Sequence, residues 1–409
     1  MNRVVVTGLG GISPIGNTIE ETYSNAIKGV CGIGFITKFD TTEYKVSIAG
    51  EVKDFDPSKY MEKSDIRKSD LYTKYAMAAA TMAVEDSQIE EKIDSDRFGV
   101  YMGSGIGGFN SILEETNKLF TKGPSRVSPF FIPMMIGNIA AGMIAIKYKA
   151  MGPSLPVVTA CATSTNTIGE AYRAIERGDA DAIIAGGSEA SICTMAIAGF
   201  SNMMALSKSD DPKNASIPFD ARRNGFVMGE GAAAFVVESL DHALARGAKI
   251  YGEICGYANT NDAYHITSPD PDGKGATNAI KNCVNQAQFD DVSKIYFNAH
   301  GTSTPLNDKC ETAAIKNVFG DDAYKISISS TKSMTGHMLG AAGAIEAAIC
   351  LKTMENGIIP PTIGYKEKDP DCDLDYTVNQ AIEKEIDYAI STSLGFGGHN
   401  ACLAFKKYK

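Results

Sequence analysis

Short runs of β-branched and aromatic residues alternate with Ala-rich segments along the whole chain, the pattern of a mostly parallel sheet covered by helices on both faces. Apolar runs of strand length occupy residues 3–7, 98–103, 156–159, 182–185, 233–238, 295–298, 326–329 and 388–391. Residues 71–86, 164–177 and 343–354 have the length and small-residue content of buried helices. The order of these elements suggests a duplication. The strand expected over 156–159 leads through a turn into a helix and then to 182–185, and 326–329 leads through a turn and a helix to 388–391. Two α/β halves are therefore expected, at residues 1–250 and 251–409, with the crossing near 248–257. No low-complexity linker separates them, so they are expected to pack together rather than hinge.

The composition narrows the function. The chain has 409 residues with 39 basic and 49 acidic side chains, a net charge of −10, which disfavours general attraction to nucleic acid. At 44% hydrophobic and 22% charged it has the make-up of a globular protein. Its nine cysteines are an odd number without a CxxC pair, which points to a reducing compartment. The apolar stretches are shorter than the ~18 residues of a membrane span. The first residues lack a signal-peptide core, so a cytoplasmic protein is expected.

Three kinds of motif carry candidate chemistry. Gly103-Ser-Gly105-Ile-Gly107-Gly108 satisfies GxGxxG after a strand, but no acidic residue stands about 20 positions on to bind a ribose. No P-loop is present. Val158-Thr-Ala-Cys161-Ala-Thr-Ser164 delivers a cysteine from a strand end to the first turn of a helix, where the positive N-terminus favours thiolate. The other eight cysteines lack such an elbow and read as structural. Of five histidines, His300 in Asn298-Ala-His300-Gly-Thr302-Ser-Thr304 and His337 in Lys332-Ser-Met-Thr-Gly336-His337 stand at strand ends, the usual place for ligands in an α/β sheet. With Cys161 they make a triad-like set. Their wide separation and the lack of a second local ligand argue against zinc.

Together these segments resemble the β-ketoacyl-[acyl-carrier-protein] synthases, the condensing enzymes of the thiolase superfamily, and most closely the bacterial elongating type II enzymes. The likeness runs from VVVTGLGGISPIG through Thr159-Ala-Cys161-Ala-Thr-Ser164, Ala185-Gly-Gly-Ser-Glu189, Pro218-Phe-Asp220, Asn298-Ala-His300, Thr331-Lys-Ser-Met-Thr-Gly-His337 and Gly395-Phe-Gly-Gly398. It implies a layered αβαβα fold, a homodimer, an acyl-carrier-protein partner, no cofactor, and decarboxylative Claisen condensation.

Carried over by position, the resemblance makes Cys161 the nucleophile and His300 and His337 the pair that bind the malonyl group. The N–H groups of Cys161 and Phe396 would form the oxyanion hole, with Phe396 also a gate. Lys332 would orient the site together with Asp308, Glu311 and Glu346. Thr302, Thr304, Ile106, Phe200, Gly397 and Gly398 would contact substrate, with Ile106 bordering the acyl pocket. Lys63, Arg67, Lys68 and Lys208 would dock the acidic carrier protein. A monovalent cation near Asn298, Glu346 and Ser393 is a further expectation. Thr392, where Asn is common, and His399, where Thr is common, depart from the pattern and bear on that cation site and on loop motion. Two other readings stand beside fatty-acid elongation: a ketosynthase of a polyketide or polyene pathway, and a noncatalytic chain-length-determining subunit. The retained Cys161 argues against the last, and His337 argues against an initiating enzyme of the Cys-His-Asn kind.

Overall fold

A computed structural model describes residues 1–409. Ten strands form one sheet: β1 (Val4–Ile12), β2 (Phe98–Gly103), β3 (Ser154–Leu155), β4 (Ala182–Glu189), β5 (Gly231–Ser239), β6 (Gly252–Asn261), β7 (Ile295–Asn298), β8 (Ser327–Ser329), β9 (Tyr388–Gly395) and β10 (His399–Lys406). Their order across the sheet is β8-β7-β9-β10-β6-β1-β5-β4-β2-β3. Read inward from each edge, the first half runs β3-β2-β4-β5-β1 and the second β8-β7-β9-β10-β6, which is the same order shifted by five strands. The duplication expected from the element order is thus present in the topology. A short antiparallel pairing of β1 with β6, Val4 opposite Ile254, joins the halves.

The sheet is mixed rather than mostly parallel. β2 pairs in parallel with β3 and β4, and β7 with β8 and β9. The pairs β4–β5, β5–β1, β9–β10 and β10–β6 are antiparallel. Strands β6 and β10 were not foreseen, because GEICGYANTN and HNACLAFK are poor in β-branched residues and are held by their neighbours. Residues 156–159 form no strand; the edge pairing falls earlier, at Ser154–Leu155.

Three apolar clusters separate five layers. Leu71–Ser87 (α1) packs outside the first half, and Lys274–Ala287 (α3) and Pro305–Phe319 (α4) outside the second. Between the two half-sheets lie Thr163–Arg177 (α2) and Ala342–Asn356 (α5), around the largest cluster. These central helices approach closely because Gly343 has no side chain: a Cβ there would stand 1.9 Å from Thr165 Oγ1 and 2.9 Å from Ser393 Oγ. No helix is long and apolar enough to cross a membrane.

Candidate active site

The C-terminal ends of the parallel strands of both halves converge on a cavity of about 610 Å³. Cys161, His300 and His337 all line it, although 139 and 37 residues of chain separate them.

Cys161 sits in a short 3₁₀ turn, Ala160–Ala162, that leads directly into α2. The preceding Ala160 is held at φ +51°, a conformation that costs a non-glycine residue about 1–3 kcal/mol and that turns the chain sharply at Cys161. Gly395 makes room for this elbow: a Cβ on it would lie 2.8 Å from Thr159 O and 3.1 Å from Cys161 N. The backbone N–H of Phe396 reaches the Cys161 sulfur. The expectation of a ready thiolate needs correction. Although Cys161 keeps some exposure, the protein packed around the sulfur pushes the thiol up to about 12, against the Lys332 charge that draws it down.

The two imidazoles stand edge to face, with ring centroids 5.2 Å apart. Both are buried and are held well below the usual histidine range, first by burial and then by the Lys332 charge, so each ring is neutral at neutral pH. Nδ1 of each is buried without a hydrogen-bond partner.

The surrounding charged residues divide into three separate contacts rather than one network about Lys332. Lys332, itself buried, pairs with Glu346 Oε1. Glu311 accepts the backbone N–H of His300 at 2.7 Å and of Gly301 at 2.8 Å, and the Thr392 hydroxyl at 2.6 Å. Burial pushes this carboxyl up to about 7. Asp308 instead accepts the Phe219 N–H at 2.9 Å and lies 3.6 Å from Arg223. Arg223 also donates to the carbonyls of Thr304 and Pro305, so it braces the loop bearing Thr302 and Thr304. Those two hydroxyls are 3.0 Å apart on the cavity wall. Arg223 was missed in the sequence, where nothing marks it apart from other arginines.

Ile106, Phe200, Phe396 and Gly398 line the cavity, whereas Gly397 is exposed and does not line it. Gly397 donates to Ile266 O and accepts from Asn261 Nδ2, both at 2.8 Å, tying the Gly-rich turn to the segment after β6. Phe200 packs between Phe396 and Phe226, and Phe226 against His337, an aromatic path from the turn to the imidazoles. Lys63, Arg67, Lys68 and Lys208 are exposed; Lys68 lies 5.0 Å over the Phe130 ring. The Ser393 hydroxyl is engaged by Thr165 Oγ1 at 2.7 Å. Asn298 Oδ1, Glu346 Oε2 and Ser391 Oγ are buried without partners, and Ser391 is directly opposite Asn298 in the β7–β9 ladder.

The Gly103–Gly108 segment runs from β2 toward the next helix, and its glycines serve packing: a Cβ on Gly108 would stand 2.1 Å from Met134 O.

A family model described as β-ketoacyl synthase, N-terminal domain, matches residues 1–243, and one described as β-ketoacyl synthase, C-terminal domain, matches 251–366. The chain is 51% identical over 408 residues to the 3-oxoacyl-[acyl-carrier-protein] synthase 2 of Staphylococcus aureus (strain COL), covering 100% of this chain and 99% of that one. It is 49% identical to the enzyme of the same description from Synechocystis sp., covering 100% and 98%. Among solved structures, a β-ketoacyl synthase from Burkholderia phymatum superposes with a TM-score of 0.93 at 32% identity, covering all of both chains. A type II polyketide ketosynthase solved in complex with its acyl-carrier protein gives a TM-score of 0.91 at 35% identity, again over both full chains.

Proposed function

Because the chain belongs to the β-ketoacyl synthase family, we propose that it elongates acyl groups by decarboxylative condensation with malonyl-acyl carrier protein, as a fatty-acid-elongating condensing enzyme of the 3-oxoacyl-[acyl-carrier-protein] synthase 2 type. The observation that carries this reading is one thiol and two neutral imidazoles in one cavity.

In the first step Cys161 attacks the acyl thioester, its proton leaving with the displaced carrier-protein thiol. The N–H groups of Cys161 and Phe396 stabilise the oxyanion that forms. Since the free thiol is strongly held, the Lys332 charge and the Phe396 N–H are the features that favour charge on sulfur. In the second step malonyl-carrier protein enters and its carboxylate leaves as CO₂. Negative charge then moves to the thioester oxygen, where His300 and His337 donate hydrogen bonds. A neutral imidazole can donate without competing charge, and two pre-placed donors need little reorganisation. The carbanion attacks the Cys161 thioester; collapse expels the sulfur, which regains a proton. Thr302 and Thr304 bind the incoming arm, and Phe396 gates the passage to Cys161.

Lys63, Arg67, Lys68 and Lys208 form the surface that receives the acidic carrier protein. The open edge of β3, with Ile146, Met151, Leu155 and Val158 exposed about it, fits the homodimer. Asn298 Oδ1, Ser391 Oγ and Glu346 Oε2 suit a monovalent cation as a structural, non-reacting charge, with Ser391 in place of the engaged Ser393. A polyketide role is the second reading, favoured by the 35% identical ketosynthase neighbour; the 51% identity to a 3-oxoacyl-[acyl-carrier-protein] synthase 2 outweighs it.

Condensation of malonyl-carrier protein with acyl-carrier proteins of graded length tests the proposal. Saturated primers are expected to be extended by two carbons. Absence of any extension, or extension of polyketide primers alone, would overturn it.

A further inference from the structure

Glu189 ends β4 with its side chain buried in the cavity wall, and none of the steps above uses it. Its Oε2 accepts the backbone N–H of Gly105 at 2.9 Å and of Gly340 at 3.1 Å. Its Oε1 accepts the hydroxyls of Ser104 and Ser191, each at 3.1 Å. Ser104 Oγ in turn accepts the Gly107 N–H at 2.9 Å. Four donors converge on one carboxylate, and two of them come from turns that belong to opposite halves of the sheet.

Each turn carries a side chain into the cavity. The first is the 104–107 turn after β2, with Ile106; the second holds Leu339 at φ +46°, two residues after His337. A leucine in that region is strained and stays there only when its surroundings hold it. The hydrogen bond from Gly340, the next residue, supplies that hold. The glycines are required by the geometry. A Cβ on Gly105 would lie 2.7 Å from Glu189 Oε2, and one on Gly340 would lie 2.4 Å from Gly105 N and 2.8 Å from that oxygen. The two backbones therefore meet at the carboxylate with no room for a side chain between them. Burial pushes the Glu189 carboxyl up to about 7, the cost of keeping an anion here for the sake of its four acceptor contacts.

We infer that Glu189 is a specificity-determining positioning residue, whose carboxylate ties the Ile106 turn to the Leu339 turn and so sets the width of the cavity between those two side chains. The inference rests on the reading above in one respect, that an acyl chain occupies this space. A carboxylate that only satisfied buried N–H groups would, on removal, slow all substrates alike. A clamp on the pocket changes which chain length fits.

Glu189→Met keeps roughly the side-chain volume and removes both acceptor oxygens, so the Gly105 and Gly340 N–H groups lose their shared partner and the clamp is broken. Two measurements are made on the full-length protein. In the first, amide hydrogen exchange of peptides spanning 104–108 and 338–342 is expected to accelerate together, by about tenfold, while the interior of α2 keeps its protection. In the second, kcat and KM are measured with acyl-carrier proteins of graded length. The long-to-short ratio of kcat/KM is expected to shift by about tenfold, mostly through KM, as for the gain or loss of a few methylene contacts. Ser104→Ala, which removes one of the four donors and the Gly107 N–H contact and so loosens the Ile106 turn while the carboxylate stays in place, is expected to move the ratio the same way by less, and carries the test if Glu189→Met does not fold. Unchanged exchange in the two peptides, or equal losses at every chain length, would sink the inference. If the wild-type protein extends no acyl group, the proposed function fails and the exchange result still decides whether the clamp exists.

Discussion

In the first half of the molecule the ends of β2, β3 and β4 lead to Ile106, Cys161 and Glu189; in the second, the equivalent ends of β7, β8 and β9 lead to His300, the Lys332–His337 segment and Phe396. The strands match one for one, yet the groups they deliver differ in kind. The first half contributes the thiol and one buried carboxylate that holds backbone amides. The second contributes both imidazoles, the buried Lys332–Glu346 pair, and Glu311 beneath His300. The imidazoles and the Lys332–Glu346 pair thus stand on one copy of the fold and the thiol on the other; in the proposed reaction the one would stabilise developing charge and the other would carry the acyl group, and the residues that differ lie on helices and strand ends as well as in loops. Fold alone would not assign a role to either copy.

The sharpest way to break this comparison is to remove one contribution at a time. Cys161→Ala is expected to abolish condensation while the protein retains its ability to release CO₂ from malonyl-carrier protein. His300→Ala or His337→Ala is expected to leave acyl loading on Cys161 intact and to slow decarboxylation by about 10²–10⁴-fold. Mass spectrometry of the acyl-enzyme and a CO₂-release assay read the two steps separately. If the histidine variants lost loading and decarboxylation equally, the division between halves would be false.

A second expectation concerns charge on sulfur. With the thiol pushed up to about 12, the thiolate is the minor form at neutral pH, and its fraction grows about tenfold per pH unit until the pH approaches that value. Alkylation of Cys161 by iodoacetamide should therefore accelerate steadily from pH 7 to 10 without levelling off. A plateau below pH 8 would show that the start of α2 and Lys332 overcome burial after all.

The smallest effect is expected at the surface. The exposed Lys63, Arg67, Lys68 and Lys208 all belong to the first half, so the docking surface proposed above would be one-sided. Reversing Lys63, Arg67 and Lys68 to Glu should raise KM for carrier-bound substrates by about tenfold at low salt, and by less at high salt. Equal KM values for the variant and the parent protein would remove these residues from the docking surface.

The sequence made the scaffold legible where apolar runs were continuous, as in β2 and β7, whose bounds match the expected ones. It concealed β6 and β10, whose glycines, asparagines and alanines are drawn into the sheet by pairing with partners far along the chain. The thiol could be singled out because its segment reads as a strand-to-helix elbow that the other eight cysteines lack, and the imidazoles because only five histidines exist and two follow expected strands. Their supporting contacts could not. Asp308 and Glu311 look alike in the sequence, one helical turn apart on α4, yet one meets Arg223 and the other the His300 backbone. Likewise, helix position argued for a thiolate at Cys161, and only the surrounding packing shows how much desolvation opposes it.

The contact of Gly343 with Thr165 has a bearing on how substrates come and go. The two central helices meet there backbone to side chain and share the largest apolar cluster, so opening the halves like a clamshell would expose that cluster to water. In the proposed reaction, an acyl chain would then pass by local excursions of the Phe396 turn and the segment hydrogen-bonded to it, loop movements of nanoseconds to microseconds rather than slow domain closure. Turnover would in that case be paced by carrier-protein exchange and bond making, with the body of the protein standing still.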